Sequence, residues 1–203
     1  MIAIIDYGVG NLASVQNAFR RVGYPSLVTD QPEQILGAEK VVLPGVGAFA
    51  DGMTTLRKKG LTDVLYEVVE KEIPLLGICL GMQMLFSTSE EEGLHQGLDL
   101  IPGRVRRFSL SGAYKVPHMG WNQIRPAVPS RLFGDVPVDS YVYFVHSFYT
   151  EPQDSQVSSA STDYGIDFTC AIEKGNIFGV QFHPEKSSLV GLTVLRNFGE
   201  LRP

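Results

Sequence analysis

The chain has 203 residues, of which 44% are hydrophobic and 19% are charged, a composition typical of a soluble globular protein. A net charge of −5 argues against nucleic acid or an anionic membrane as a partner. The two cysteines, Cys79 and Cys170, are too few for a disulfide framework or a zinc site. The sequence has no apolar run of membrane-spanning length, and we expect no targeting presequence, so we expect a cytoplasmic protein. We also expect neither a metal nor a cofactor.

In the first half of the chain, strand and helix patterns alternate. Strands are predicted at the short apolar runs 2–5, 26–29, 40–43 and 73–78. Helices are predicted where apolar residues recur at helical spacing; they begin after Asn11, at Pro32, near Leu61 and after Cys79, the last continuing through Phe86. Asn11 is expected to cap the first helix. The alternation is typical of a largely parallel sheet with helices on both faces.

The second half has a different pattern. The acidic run 90–92 is expected to be a solvated loop or helix end. Short strands are predicted, between turns rich in glycine and proline, at 103–110, 139–145, 168–173 and 177–182, before a final helix near 189–198. We therefore predict one α/β domain over residues 1–203, with an open, mostly parallel twisted sheet, helices on both faces and a strand-rich antiparallel extension.

One stretch carries a chemical signature. The apolar run that ends at Ile78 predicts a buried strand, Cys79 follows it at once, and Gly77 and Gly81 flank the cysteine. A side chain on such a strand-to-helix turn projects at the carboxyl edge of the sheet in a strained conformation, and flanking glycines remove side chains that would clash. The helix N-terminus favours a thiolate, and its free N–H groups suit an oxyanion. The alternative is that Cys79 is an inert thiol in the core.

A cysteine nucleophile needs a base and a group that orients the base. His183 directly follows a predicted strand, and Pro184 favours an extended conformation at His183. Residues two apart in an extended segment point to the same side, so Glu185 is placed to orient His183. His118 and His146 have no acidic neighbour placed in this way, and we expect them to be packing or ligand-loop residues.

The turn Pro44-Gly45-Val46-Gly47 ends the third predicted strand, at the edge where open α/β sheets bind ligands. Its glycines allow a peptide N–H to face a ligand, so the N–H groups of Val46 and Leu80 are candidate oxyanion donors. Taken alone, the turn is equally compatible with an ordinary glycine loop.

The cysteine motif at 77–83 and the motif His183-Pro184-Glu185 resemble those of class I (triad) glutamine amidotransferases. Within that class, the chain is similar over essentially its full length to the glutaminase subunits of imidazole glycerol phosphate synthases. The motifs that carry this second resemblance are 6–11, 44–47, 117–122, 143–146 and 183–188. Phe148 stands at a position where tyrosine is expected, and it brings no hydroxyl.

The resemblance implies an activity and a set of roles. Cys79 is expected to attack the side-chain amide of L-glutamine, while His183 moves the proton to the leaving ammonia and Glu185 orients His183. The N–H groups of Val46 and Leu80 are expected to hold the oxyanion. The residues expected to contact the substrate are Gly47, Gln83, His146, Ser147 and Phe148.

By the same resemblance, the ammonia passes through a tunnel to a (β/α)8-barrel cyclase, which makes imidazole glycerol phosphate and AICAR in histidine biosynthesis. Such a barrel typically has ~250 residues, so we expect the cyclase to be a second polypeptide in a heterodimer. The residues expected at the interface are Asn11, Trp121, Tyr143 and Lys186. The glutaminase is expected to be nearly silent until the partner binds its ligand; a peptide flip at Val46 offers a reason, since one oxyanion donor is worth ~3–4 kcal/mol.

Three alternatives stay open. A glutaminase with the same chemistry would serve another ammonia acceptor, in pyridoxal phosphate, anthranilate or CTP synthesis. A cysteine hydrolase of the flavodoxin-like type would act alone on a different amide or on a peptide. A small-ligand binding module on the same fold would carry Cys79 as an inert thiol.

Overall fold

The computed structural model describes residues 1–110, 112, 114–127 and 129–201, so residues 202 and 203 of the predicted domain lie outside the described residues. The strands are β1 (Ile2–Ile5), β2 (Ser26–Thr29), β3 (Lys40–Gly45), β4 (Leu75–Cys79), β5 (Phe86–Ser89), β6 (His95–Gln96), β7 (Ile101–Arg107), β8 (His118–Pro126), β9 (Ser140–His146), β10 (Phe148–Pro152), β11 (Ser158–Asp163), β12 (Asp167–Lys174) and β13 (Ile177–Val180). The α-helices are α1 (Leu12–Arg21), α2 (Pro32–Leu36), α3 (Phe49–Lys58), α4 (Leu61–Glu70), α5 (Leu80–Met84) and α6 (Ser188–Glu200). Among these helices, none is long and apolar enough to cross a membrane.

A parallel sheet forms the centre of the fold, in the order β2-β1-β3-β4-β13. Beyond β13 the sheet continues through antiparallel pairs to β12, β10 and β7, while β11, β8 and β9 extend it as a branch. The predicted fold class, a largely parallel sheet with helices on both faces and a strand-rich extension, is confirmed.

Both faces of the parallel strands are buried, because successive side chains along a strand point to opposite faces. In β1, Ile2 and Ile4 belong to one core and Ala3 and Ile5 to the other, and all four are buried. The first core also contains the apolar faces of α1 and α6, and the second contains those of α2, α3 and α4. With both faces covered, the carboxyl edge of the strands is where open α/β sheets place a site.

Three expectations for the first half are corrected. Helix α3 was missed, although Phe49, Met53 and Leu56 recur at helical spacing and are all buried. The helix that follows β4 is shorter than predicted, because Phe86 pairs with β7 as part of strand β5. Asn11 stands at the N-cap of α1, but its side chain makes no capping hydrogen bond.

The topology brings the cysteine and histidine motifs together. Strand β13 runs parallel to β4, with Val180 opposite Ile78. Strand β3 lies on the other side of β4, with Gly45 opposite Cys79. The turn after β3, the cysteine after β4 and the segment leading to His183 after β13 therefore leave the sheet side by side at its carboxyl edge.

Candidate active site

Cys79 occupies the strained turn that the sequence predicts. Its backbone has φ 53° and ψ −111°, and such a conformation costs a non-glycine residue on the order of 1–3 kcal/mol. A Cβ atom on Gly77 would lie 2.7 Å from the Cα of Met82, and one on Gly81 would lie 1.8 Å from the carbonyl oxygen of Leu43. Both glycines are therefore required for the turn. The cysteine is 7% exposed and lines a cavity.

His183 and Glu185 form a buried pair, with 2.8 Å between Nδ1 of the histidine and Oε1 of the glutamate. Because the carboxylate accepts, Nδ1 donates, and Nε2 is left for the thiol. Nε2 is buried and has no conventional hydrogen-bond partner within the described residues. Burial lowers the pKa of His183, but interactions with the Cys79 thiol and the Glu185 carboxylate outweigh burial and raise the pKa to about 9.

Cys79 and His183 line a common cavity of about 280 Å³, close to the lower limit of typical small-molecule pockets. All seven residues predicted for the oxyanion and the substrate line the same cavity: Val46, Gly47, Leu80, Gln83, His146, Ser147 and Phe148. Glu91, Pro117 and Val145 complete the lining. The cavity therefore unites the predicted site residues, while their individual roles stay predictions.

The turn after β3 packs directly against the cysteine elbow. A Cβ atom on Gly45 would lie 2.9 Å from the Cβ of Leu80. Leu80 is the first residue of α5, so its N–H has no acceptor inside the helix. Val46 follows in the turn and is 39% exposed. Two sources of backbone N–H groups thus border the cavity next to Cys79.

The side chains of Gln83 and His146 are engaged inside the protein. Nε2 of Gln83 donates to the carbonyl oxygen of Phe148 at 3.1 Å and to Oε1 of Gln181 at 3.0 Å. Nδ1 of His146 lies 2.7 Å from the same carbonyl oxygen, and its Nε2 lies 3.0 Å from Nδ1 of His118. Burial lowers the pKa of His146 to about 3 and that of His118 to about 4, so both rings are neutral at physiological pH. A substrate contact by His146 would have to use other atoms than its ring nitrogens.

Two polar residues at the site were missed. Glu91 was expected in a solvated run, but it lines the cavity and its Oε2 accepts a 2.7 Å hydrogen bond from the N–H of Phe49. Nothing local in an acidic run indicates this contact with α3. Gln181 donates through Nε2 to the sulfur of Cys79, 3.7 Å away. Gln181 lies two residues before His183, but this position indicates a contact with Cys79 only once β13 is known to pair with β4.

Three of the four predicted interface residues lie together. The ring centroids of Trp121 and Tyr143 are 6.1 Å apart, and Nζ of Lys186 is 6.0 Å from the centroid of Tyr143. Met119 on strand β8 and Tyr141 on strand β9 are exposed neighbours of this group. We call these five residues the aromatic face. Asn11 is exposed in the turn after β1.

Comparison with known proteins identifies the family of this chain. The family Glutamine amidotransferase class-I matches residues 3–200. The "Imidazole glycerol phosphate synthase subunit HisH" of Moorella thermoacetica is 58% identical over 200 residues, which cover 98% of this chain and 94% of that protein. The protein of the same name from Syntrophotalea carbinolica is 51% identical over 206 residues, covering 99% of this chain and 100% of that protein.

Solved structures support the fold at low sequence identity. One described as "Crystal structure of glutamine amidotransferase" has a TM-score of 0.74 at 18% identity and covers 98% of this chain and 100% of that chain. PurLQS from Thermotoga maritima has a TM-score of 0.74 at 18% identity, covering 97% of this chain and 96% of that chain. The matches over nearly the whole length agree with the cysteine elbow and the His–Glu pair, and we conclude that the chain belongs to the class I glutamine amidotransferases and, among them, to the HisH subunits of imidazole glycerol phosphate synthase.

Proposed function

We propose that Cys79, His183 and Glu185 form a catalytic triad that hydrolyses L-glutamine to glutamate and ammonia for a separate cyclase subunit in histidine biosynthesis. The observation that carries this proposal is that a strained Cys79 lines one cavity with His183, which is itself paired with the buried Glu185. The similar proteins are named as subunits of imidazole glycerol phosphate synthase. Their names support that cyclase as the ammonia acceptor over the enzymes of pyridoxal phosphate, anthranilate or CTP synthesis. We propose that residues 1–203 act as one glutaminase domain, in line with the family match over 3–200.

In the first half-reaction, the Cys79 thiolate attacks the side-chain carbonyl carbon of glutamine, and a C–S bond forms. The carbonyl oxygen becomes an oxyanion that accepts from the N–H groups of Val46 and Leu80, each worth roughly 10²–10³ in rate. Nε2 of His183 gives its proton to the amide nitrogen, the C–N bond breaks and ammonia leaves. Glu185 holds Nδ1–H and stabilises the imidazolium. The product is a γ-glutamyl thioester.

In the second half-reaction, Nε2 of His183 takes a proton from water as the oxygen attacks the thioester. The C–S bond breaks, glutamate leaves and Cys79 returns to the thiolate. Because the pKa of His183 is raised to about 9, the imidazolium is already present at neutral pH when glutamine binds. The same residue therefore serves as acid for ammonia and as base for water.

Recognition of glutamine requires a partner for its α-ammonium group, and Glu91 is the carboxylate that lines the cavity. Its bond from the N–H of Phe49 fixes one carboxylate oxygen, which makes the carboxylate a rigid acceptor. The carbonyl oxygen of the Gln83 side chain is proposed as a second acceptor, because the amide nitrogen is already used. Gly47 and the corner at 146–148 are proposed to contact the rest of the substrate.

We propose that the aromatic face and Asn11 bind a (β/α)8-barrel cyclase. Exposed aromatic and apolar side chains grouped in this way are typical of protein interfaces. Hydrogen bonds connect the aromatic face to the segment that carries His183. The N–H of His183 donates to the carbonyl oxygen of Tyr143 at 2.9 Å, and the N–H of Tyr143 donates to Oγ of Ser187 at 2.9 Å. Docking of the cyclase would therefore affect the backbone next to His183. We propose that a peptide flip at Val46 accompanies docking and turns the Val46 N–H toward the oxyanion.

Labelling with 6-diazo-5-oxo-L-norleucine, an electrophile that mimics glutamine, tests the proposed chemistry. We expect peptide mass spectrometry to find one adduct on Cys79, competition by L-glutamine, and parallel loss of glutamate release. Cys170 serves as an internal control, since it is buried with no exposed surface. Absence of an adduct on Cys79, or equal labelling of Cys170, would contradict the proposal.

A further inference from the structure

The backbone carbonyl of Phe148 fixes the direction of a chain of hydrogen bonds that runs through the site. Its oxygen lies 3.1 Å from Nε2 of Gln83 and 2.7 Å from Nδ1 of His146. A carbonyl oxygen has no proton to give, so both nitrogens must be donors. The orientation of the Gln83 amide and the tautomer of His146 follow from this single acceptor.

On one side, the chain reaches the catalytic sulfur. The Nε2 of Gln83 also lies 3.0 Å from Oε1 of Gln181, so that oxygen accepts, and Nε2 of Gln181 lies 3.7 Å from Sγ of Cys79. Turning the Gln181 amide over would place two NH₂ groups against each other and an oxygen against the sulfur. The arrangement therefore presents an N–H donor to Cys79.

On the other side, the chain reaches strand β8. Because His146 is protonated on Nδ1, its Nε2 accepts from Nδ1–H of His118 at 3.0 Å. Nε2 of His118 then accepts from Nδ2 of Asn122 at 3.3 Å, and the same amide donates to the carbonyl oxygen of Asp163 at 2.8 Å. The polarity of the chain is thus consistent from β8 to the corner at Phe148.

We propose that Gln181 is a positioning residue for the nucleophile, holding the sulfur of Cys79 through its amide N–H, with Gln83 and the Phe148 carbonyl fixing that amide. The proposal rests on the role of Cys79 proposed above. A thiolate with 7% exposure has few water molecules to stabilise it, so protein donors must do so. Gln181 is fully buried, and its amide restrains the sulfur beside His183.

The test compares Gln181→Met, which keeps the length but has no N–H donor, with Gln181→Glu, which presents a carboxylate oxygen. The first measurement is the pH profile of Cys79 alkylation by iodoacetamide in the full chain. The second is kcat and KM for glutamine in the complex with the cyclase. A hydrogen bond to a charged group is worth about one to two powers of ten in rate or equilibrium. We expect both variants to move the alkylation midpoint up by about one pH unit and to lower kcat about tenfold or more, with KM changed less than about threefold.

A matched control is Asn197→Leu. Asn197 is another buried amide, and it donates to the carbonyl oxygen of Leu132 at 2.8 Å, within the core that α6 covers. The Asn197→Leu variant should have a lower thermal stability but the same alkylation midpoint and kcat as the wild type. A wild-type midpoint and kcat in both Gln181 variants would overturn the proposal.

A further variant keeps the test decisive if the Gln181 variants do not fold. Gln83→Glu removes the donor that orients Gln181, and we expect a smaller shift of the midpoint in the same direction; no shift in a folded Gln83→Glu chain would overturn the proposal. Failure of the proposed function would appear separately, as a wild-type complex that releases no glutamate from glutamine. The alkylation profile measures the contact with Cys79 in either case.

Discussion

Gly81→Ala tests whether the cysteine elbow depends on a close backbone approach. The added Cβ would lie 1.8 Å from the carbonyl oxygen of Leu43, whereas ordinary contacts begin near 3.4 Å, so the backbone of α5 or β3 must move by about 1.6 Å. Overpacking against movable side chains costs about 1–3 kcal/mol, and a backbone atom yields less easily. We therefore expect the free energy of unfolding to fall by ~3 kcal/mol or more.

The same displacement changes the site, because Leu80 and the turn after β3 meet at this contact. Loss of one oxyanion donor alone is worth roughly 10²–10³ in kcat, so glutaminase activity of the complex should fall at least that far. Gly134→Ala is the matched control, since its Cβ would meet nothing nearer than 3.9 Å. Urea unfolding and steady-state glutamate release measure both effects. A Gly81→Ala chain with the stability and kcat of the control would refute the reasoning.

Three further predictions concern charge at the site. Glu185→Gln removes the carboxylate 2.8 Å from Nδ1 of His183, and kcat for glutamate release should fall about 10²–10⁴-fold; a kcat near that of the wild type would contradict the triad. Glu91→Gln can keep the bond from Phe49 but loses its charge, so KM for glutamine should rise ~10–100-fold with kcat nearly unchanged; an unchanged KM would exclude the proposed ammonium contact. The pKa of His146 is about 3 in the folded chain against an ordinary value of 6.5, so the unfolded chain binds more protons at this residue as the pH falls. His146 alone should therefore lower the free energy of unfolding by about 3 kcal/mol between pH 7 and pH 4. Urea unfolding at both pH values should show that loss to be correspondingly smaller in His146→Gln, and equal losses would contradict the assignment.

His183 has the opposite linkage. Its pKa is raised to about 9, so its contribution to stability is complete below the unfolded value near 6.5 and is lost as the pH rises through about 9. The two histidines therefore lower stability at opposite ends of the pH range: His146 at low pH, where the unfolded chain binds a proton that the folded chain does not, and His183 at high pH, where the folded chain loses its imidazolium.

The alternating fold was predictable because its signals are local. Apolar runs ended by glycine turns mark β1, β3 and β4, and their burial on both faces explains why they lack a polar side. Phe86 shows the limit of such signals: its spacing fits a helix, but pairing with β7 decides its conformation. Asn11 has a capping side chain at the right position, yet no capping bond forms.

The residues of the candidate triad could be chosen from the sequence because their signals are local. Cys79 lies between its glycines, and Glu185 lies two residues from His183. Glu91 and Gln181 were missed because their contacts are with distant segments, α3 in one case and β4 in the other. Such contacts follow from strand order and register, which no local pattern specifies.

Reconstitution with the cyclase tests the central claim most directly. Glutamate and imidazole glycerol phosphate should be followed in one reaction that contains glutamine and the cyclase's ribonucleotide substrate. We predict that glutamate release is strongly stimulated by the cyclase and its ligand and that the two products form one to one. Cys79→Ala should abolish both products, and added ammonia should restore imidazole glycerol phosphate but not glutamate. Glutamate release that persists in Cys79→Ala would contradict the account. So would glutamate release that has the same rate with and without the cyclase, if the complete mixture forms no imidazole glycerol phosphate.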